Sequence, residues 1–97
     1  MRFEILLAPE TVEDLKKLKA NRRAEVKDAI EKHLRHEPAK ESRSRIKRLR
    51  GLRQPQYRLR VGDIRIFYDI RALRVEVLAI VDKKGAGKWL AEVARRG

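Results

Sequence analysis

No cysteine occurs among the 97 residues, so no disulfide framework holds this chain together. Its two histidines have no cysteine beside them, which removes the ligand spacing of a structural zinc site, and no metal or other cofactor is expected. Aromatic residues make up only 5 % of the sequence, and the core must therefore be mainly aliphatic. No apolar run approaches the roughly 20 residues that a spanning helix needs, and no signal-type apolar segment follows Met1. These absences predict one soluble, cytoplasmic domain over residues 1–97, with no membrane part and a single modest core. Acid is also scarce: 14 Asp and Glu stand against 26 Lys and Arg, a formal net charge of +12. Such an imbalance points to a polyanionic partner, nucleic acid before a membrane surface.

The positive charge is concentrated. Residues 40–60 hold nine cations (Lys40, Arg43, Arg45, Lys47, Arg48, Arg50, Arg53, Arg58 and Arg60) and one acid, Glu41. A charge run of this kind is commonly a solvated loop, but the net charge favours contact with a polyanion here. The run ends in the most informative stretch of the chain, Tyr57 to Tyr68, where two segments of period-two alternation flank Gly62-Asp63. That pattern is a strong hairpin signal. Setting Val61 opposite Ile64 places Leu59 opposite Ile66 and Tyr57 opposite Tyr68 on one face. Arg60 then faces Arg65, and Arg58 faces Phe67, on the other. Opposed like charges weaken a sheet by roughly 0.2–1 kcal/mol, so an anion between the two arginines would relieve a repulsion that folding alone does not select.

Around the hairpin, Arg2 to Leu7 suits a short strand, and Pro9 opens a helix with the apolar stripe Val12, Leu15 and Leu18. Asn21 is the expected breaker before a second helix carrying Val26, Ile30 and Leu34 and ending near His36. The two form a helical hairpin. Most of residues 39–54 reads as a basic loop, from which Ile46, Leu49 and Leu52, at the three-residue spacing of a helical turn, reach the core. After the hairpin, Arg74 to Val81 forms another strand. Gly85 and Gly87 break the chain, and a last helix spans Lys88 to Arg96. The order β-α-α-β-β-β-α predicts an α+β domain: a small antiparallel sheet, mixed at the first strand, with the helical hairpin on one face and the other face open. Arg58, Arg60, Arg65 and Phe67 fall on the open face, a good phosphate site because guanidinium groups match phosphate oxygens in bidentate fashion.

At this point the chain resembles the RelE/ParE superfamily of toxins from toxin–antitoxin pairs. The resemblance rests on Lys47-Arg48-Leu49-Arg50-Gly51-Leu52, the Tyr57–Tyr68 hairpin, the strand Val75-Glu76-Val77-Leu78-Ala79-Ile80, and Ala8-Pro9-Glu10 before a Leu/Lys-rich helix. It covers nearly the whole length. The superfamily has two activities: RelE-like members cut messenger RNA in the ribosomal decoding site, and ParE-like members inhibit DNA gyrase. Both are neutralised by a cognate antitoxin protein. The RelE-like branch, favoured by the three arginines, implies a metal-independent endoribonuclease in which the ribose 2′-hydroxyl attacks the adjacent phosphorus. Catalytic positions then fall on Arg58, Arg60, Arg65 and Lys83. Lys47, Arg48, Arg50, Arg53, Lys84 and Trp89 fall beside the RNA, Trp89 as a base-stacking group. The alternative is a gyrase inhibitor that cuts nothing.

Some readings stay open beside the resemblance. RelE itself carries a lysine at the position of Arg60 and other nucleases of the superfamily use a glutamate and a histidine, whereas an arginine is a poor general base because it stays protonated. His33 and His36 lie on the second helix, facing solvent. Asp69 and Asp82 are the nearest acids, and Asp69 suits a cross-strand ion pair equally well. Trp89 fits a core anchor as well as a stacking platform, and Arg58 alone fits a cation–π contact with Phe67.

Overall fold

In the computed structural model, which describes residues 1–96, the elements run β1 (Glu4–Leu7), α1 (Pro9–Lys17), α2 (Ala20–Leu34), β2 (Ile46–Arg48), β3 (Tyr57–Val61), β4 (Ile64–Arg71), β5 (Arg74–Asp82) and α3 (Lys83–Arg96). One five-stranded sheet has the order β1-β5-β4-β3-β2. β1 runs parallel to β5, and every other pair is antiparallel, so the sheet is mixed at its first strand as expected. The β3–β4 register is the one the alternation dictates, with Tyr57 opposite Tyr68, Arg60 opposite Arg65 and Val61 opposite Ile64. Gly62, at φ +61°, supplies the positive φ that a two-residue hairpin turn favours at its first central position.

The apolar side of the hairpin forms the floor of the core. Leu59, Ile66, Tyr68, Val75 and Val77 are wholly buried against Val26 and Leu34 of α2, with Leu15 of α1 beside them. Tyr68 stacks on Tyr57 at 5.5 Å, and its hydroxyl donates to the Pro38 carbonyl at 2.6 Å. Burial, then the neighbouring Tyr57, pushes the Tyr68 hydroxyl well above the ordinary tyrosine range, so it stays a donor.

Four expectations are corrected. The segment 39–54 is not all loop, because Ile46 sits opposite Leu59 with its side chain buried, making β2 an edge strand. Side chains fasten it: Ser42 Oγ accepts from the Arg45 and Ile46 amides, and the Glu41 carboxylate accepts from the Arg48 amide at 2.9 Å. The first two helices part at Leu18 and Lys19, both extended, and Asn21 lies inside α2. Arg23 closes α1 by donating Nε to the Leu15 carbonyl and Nη2 to those of Lys16 and Leu18. The last helix starts at Lys83 rather than Lys88. Asp82 Oδ1 accepts from the Gly85 amide at 2.7 Å, an N-cap bond that starts the helix ahead of both glycines. A Cβ on Gly85 would lie 3.2 Å from that oxygen, so the glycine gives the cap room. Finally, the second sheet face is not left open: α3 packs across β4 and β5, and Phe67 is only 1 % exposed beneath it.

Candidate functional site

Period-two alternation brings Arg58, Arg60 and Arg65 onto the sheet face opposite α1 and α2. Their environments differ. Arg60 is exposed, whereas Arg65, its cross-strand neighbour, is 8 % exposed and donates Nη1 to the carbonyls of Gly62 at 2.9 Å and Ile64 at 3.2 Å. Arg58 is half-buried, and its Nε is buried with no hydrogen-bond partner. Burial, followed by the positive charges of Arg65 and Arg60, pulls the Arg58 guanidinium below the usual arginine range. Among the described residues six ion pairs form, and none includes these three arginines. A half-buried cationic patch with an unsatisfied donor is suited to holding an anion by charge-assisted hydrogen bonds.

α3 borders this patch. The Lys83 amide donates to the Asp63 carbonyl at 2.7 Å, which ties the helix start to the tip of the β3–β4 hairpin. Lys83 and Lys84 are exposed there. Trp89 is half-buried and stacks on Phe67, with ring centroids 4.9 Å apart and an interplanar angle of 14°. Phe67 in turn is the register partner of Arg58. The chain therefore sets an aromatic pair next to the cationic patch.

The other basic residues divide between the faces. Lys47 is exposed and directly opposite Arg58. Arg48 belongs to the other side: its guanidinium donates to the Tyr57 hydroxyl at 3.0 Å and lies 5.1 Å from the ring centroid, fastening β2 to the core. Arg50 and Arg53 are exposed in the loop before β3. Arg53 lines a groove of about 1070 Å³ that also takes in Glu10, Asp14, Leu78, Trp89 and Val93. Arg22, which the sequence did not connect with the hairpin, reaches from α2 to the Asp63 carboxylate and also pairs with Glu25 at 2.7 Å.

The two nearby acids have structural partners. Asp69 is 2 % exposed and forms no cross-strand ion pair; its oxygens accept from Gln54 Nε2 at 2.8 Å and the Gln56 amide at 2.7 Å. Asp82 caps α3. His36 is exposed, but His33, expected in solvent, is half-buried and shares a small cavity with Lys32 and Arg45. Burial, then Arg45 and Lys32, lowers the His33 pKa from the usual histidine value. Among the described residues no group of three His, Cys, Asp or Glu side chains is placed to hold a metal ion. No described helix is long and apolar enough to cross a membrane.

Comparison with known proteins gives the class, that of the RelE/ParE superfamily toxins. A double arginine-to-alanine mutant of the Escherichia coli toxin RelE in the free state superposes with a TM-score of 0.73 at 19 % identity, covering 99 % of this chain and 98 % of that one. A chain of the RelB–RelE antitoxin–toxin complex from Methanococcus jannaschii gives 0.66 at 24 % identity, covering 87 % and 96 %. The sequence profile described as "ParE toxin of type II toxin-antitoxin system, parDE" matches residues 5–86, and the chain belongs to that family. No curated protein matches it in sequence.

Proposed function

We propose that this toxin cleaves messenger RNA held in the decoding site of the ribosome. The carrying observation is the face of three arginines with no acid paired to them among the described residues and the Arg58 Nε unsatisfied. A phosphodiester has the charge and acceptor geometry to satisfy it. The 2′-oxygen of a ribose attacks the adjacent phosphorus, and the bond from phosphorus to the 5′-oxygen of the next nucleotide breaks. A 2′,3′-cyclic phosphate and a 5′-hydroxyl result. Arg58 and Arg65 hold the charge that builds on the phosphate oxygens in the transition state. For Arg65 this means exchanging the Gly62 and Ile64 carbonyls for phosphate. Lys83 or Lys84, at the hairpin tip, protonates the leaving 5′-oxygen. Trp89 stacks on an unpaired base. Arginine side chains stay protonated in proteins, so Arg60 binds phosphate and the 2′-hydroxyl proton goes to an acceptor outside this chain. The partner protein is a cognate antitoxin whose acidic, amphipathic segment buries apolar surface and screens the arginine face. The architecture shared with a chain of a RelB–RelE antitoxin–toxin complex supports it.

The match to the ParE toxin family favours a second reading, inhibition of DNA gyrase by binding alone. Induced expression separates the two. Mapping of messenger 5′ ends is expected to show breaks at a fixed codon position in translated messages, absent with Arg65→Ala. Supercoiling defects without such breaks would establish the gyrase reading instead.

A further inference from the structure

β2 gives the arginine face a second row. Ile46 is buried on the core side of this edge strand, so Lys47, the next residue, points to the face shared by Arg58. Lys47 is the register partner of Arg58, is exposed, and joins none of the six ion pairs among the described residues. Arg45, two residues earlier, lines the small cavity beside His33 instead, so β2 contributes one cation to this face. Two cross-strand rows result, Lys47–Arg58 and Arg60–Arg65. They lie two residues apart along β3, about 6.6–6.8 Å. Successive phosphates of a nucleic-acid strand are separated by a comparable distance.

We propose that Lys47 and Arg58 form a second phosphate subsite, so that this face holds two consecutive phosphates of one single strand, one per row. The inference rests on the arginine face being an RNA site. Arg58 lies between the two phosphates: its guanidinium, whose buried Nε has no protein acceptor to hold it in place, turns to bridge the scissile phosphate held with Arg65 and the neighbouring one it shares with Lys47. A single-stranded RNA crossing β3 runs along that strand, with its backbone on the cations and its bases toward the Phe67–Trp89 pair.

An edge-strand lysine also discourages pairing with another chain. The test separates the two roles. The probe is a dye-labelled 2′-O-methyl trinucleotide, which cannot be cleaved and has two internucleotide phosphates, together with two versions in which one or the other phosphate is a neutral methylphosphonate. Binding is read by anisotropy for wild type, Lys47→Ala, Lys47→Arg and the control Lys27→Ala, an exposed lysine of α2 on the other side of the sheet. In wild type each methylphosphonate is expected to weaken binding several-fold. In Lys47→Ala the effect of one of them shrinks, because Arg58 alone remains in that subsite, while the other keeps its full effect, and the slope of log affinity against log salt falls by about 0.7. Lys47→Arg restores the wild-type pattern, and Lys27→Ala matches wild type. If Lys47→Ala binds as wild type does, or loses affinity with both methylphosphonate effects intact, the second subsite is refuted and the arginine reading survives. If Arg58→Ala and Arg65→Ala also leave binding unchanged, the RNA reading of this face falls and the subsite with it.

Discussion

Asp69 shows how one side chain can look chemical in sequence and be architectural in the fold. It shares the alternation phase of Arg65, yet its carboxylate is buried and faces two amide donors from the loop before β3. Gln56 answers in kind, its Oε1 accepting from the Ile70 amide at 2.8 Å. The two partners of Asp69 are not equivalent. The Gln54 side chain can rotate its amide, whereas the Gln56 backbone N–H is fixed. Asp69→Asn is thus expected to cost under about 1 kcal/mol, since Asn Oδ1 serves the Gln56 amide and a rotated Gln54 accepts from Nδ2. Asp69→Ala strands that buried N–H and is expected to cost about 1–3 kcal/mol. Urea midpoints of the two variants measure the difference; equal losses would contradict this account. Arg58 and Arg65 make the complementary point. Neighbouring arginines of like sequence context differ because one finds backbone carbonyls and the other does not.

At the scale of elements, α3 is held by its first turn and by one aromatic stack. None of its side chains is fully buried, and its anchors are the Asp82 cap, the bond from the Lys83 amide to Asp63 and the Trp89–Phe67 pair. Asp82→Ala removes the cap and is expected to destabilise the helix by about 1 kcal/mol while leaving the sheet intact. Trp89 is the single tryptophan, so its fluorescence reports on α3 alone. The expected result is faster amide exchange across residues 83–96 and an emission shifted toward that of exposed indole, with exchange in β4 unchanged. Exchange that speeds up equally in β4 would make α3 part of the core's cooperative unit. This helix also marks where the sequence stopped being legible. The β3–β4 register was readable because ten alternating residues and a Gly-Asp turn admit one pairing. β2 was not, since three residues cannot display a period and its fasteners, Glu41, Ser42 and Tyr57, are scattered in sequence. The start of α3 was hidden by Gly85 and Gly87, which lower helix propensity, whereas a single carboxylate bond sets the boundary. The burial of Phe67 followed from α3 folding back over the sheet, a tertiary event that alternation does not encode. For the site, the three arginines were legible as a face; the unpartnered Arg58 Nε and the alignment of Lys47 with Arg58 required the register of β2.

At the scale of the whole molecule the charge becomes a stability argument. A net charge of +12 is confined to a body with principal extents of 31 × 31 × 27 Å. At about 10 mM ionic strength the screening length is about 30 Å, so each cation feels the others across the entire fold; at about 0.1 M it is about 10 Å, and only neighbours interact. Salt therefore relieves self-repulsion. It also weakens the six ion pairs, but surface pairs contribute little, typically under about 1 kcal/mol each, and a carboxylate is at least half exposed in five of them. The two effects have opposite signs, and the excess of 26 cations over 14 acids decides which wins. The toxin by itself is expected to melt at a higher temperature as neutral salt rises over that range. A relief of about 1 kcal/mol would appear as a rise of about 4–8 °C for a domain of this size. Adding a short single-stranded RNA at the low salt concentration is expected to raise the melting temperature as well, because a ligand bound only by the folded state stabilises it, and this increment is expected to shrink as salt is added. The two salt responses then run in opposite directions on one instrument. A melting temperature that falls with salt in the absence of RNA would show that paired surface charges, rather than the unbalanced arginine face and its basic surroundings, dominate the electrostatics of this fold.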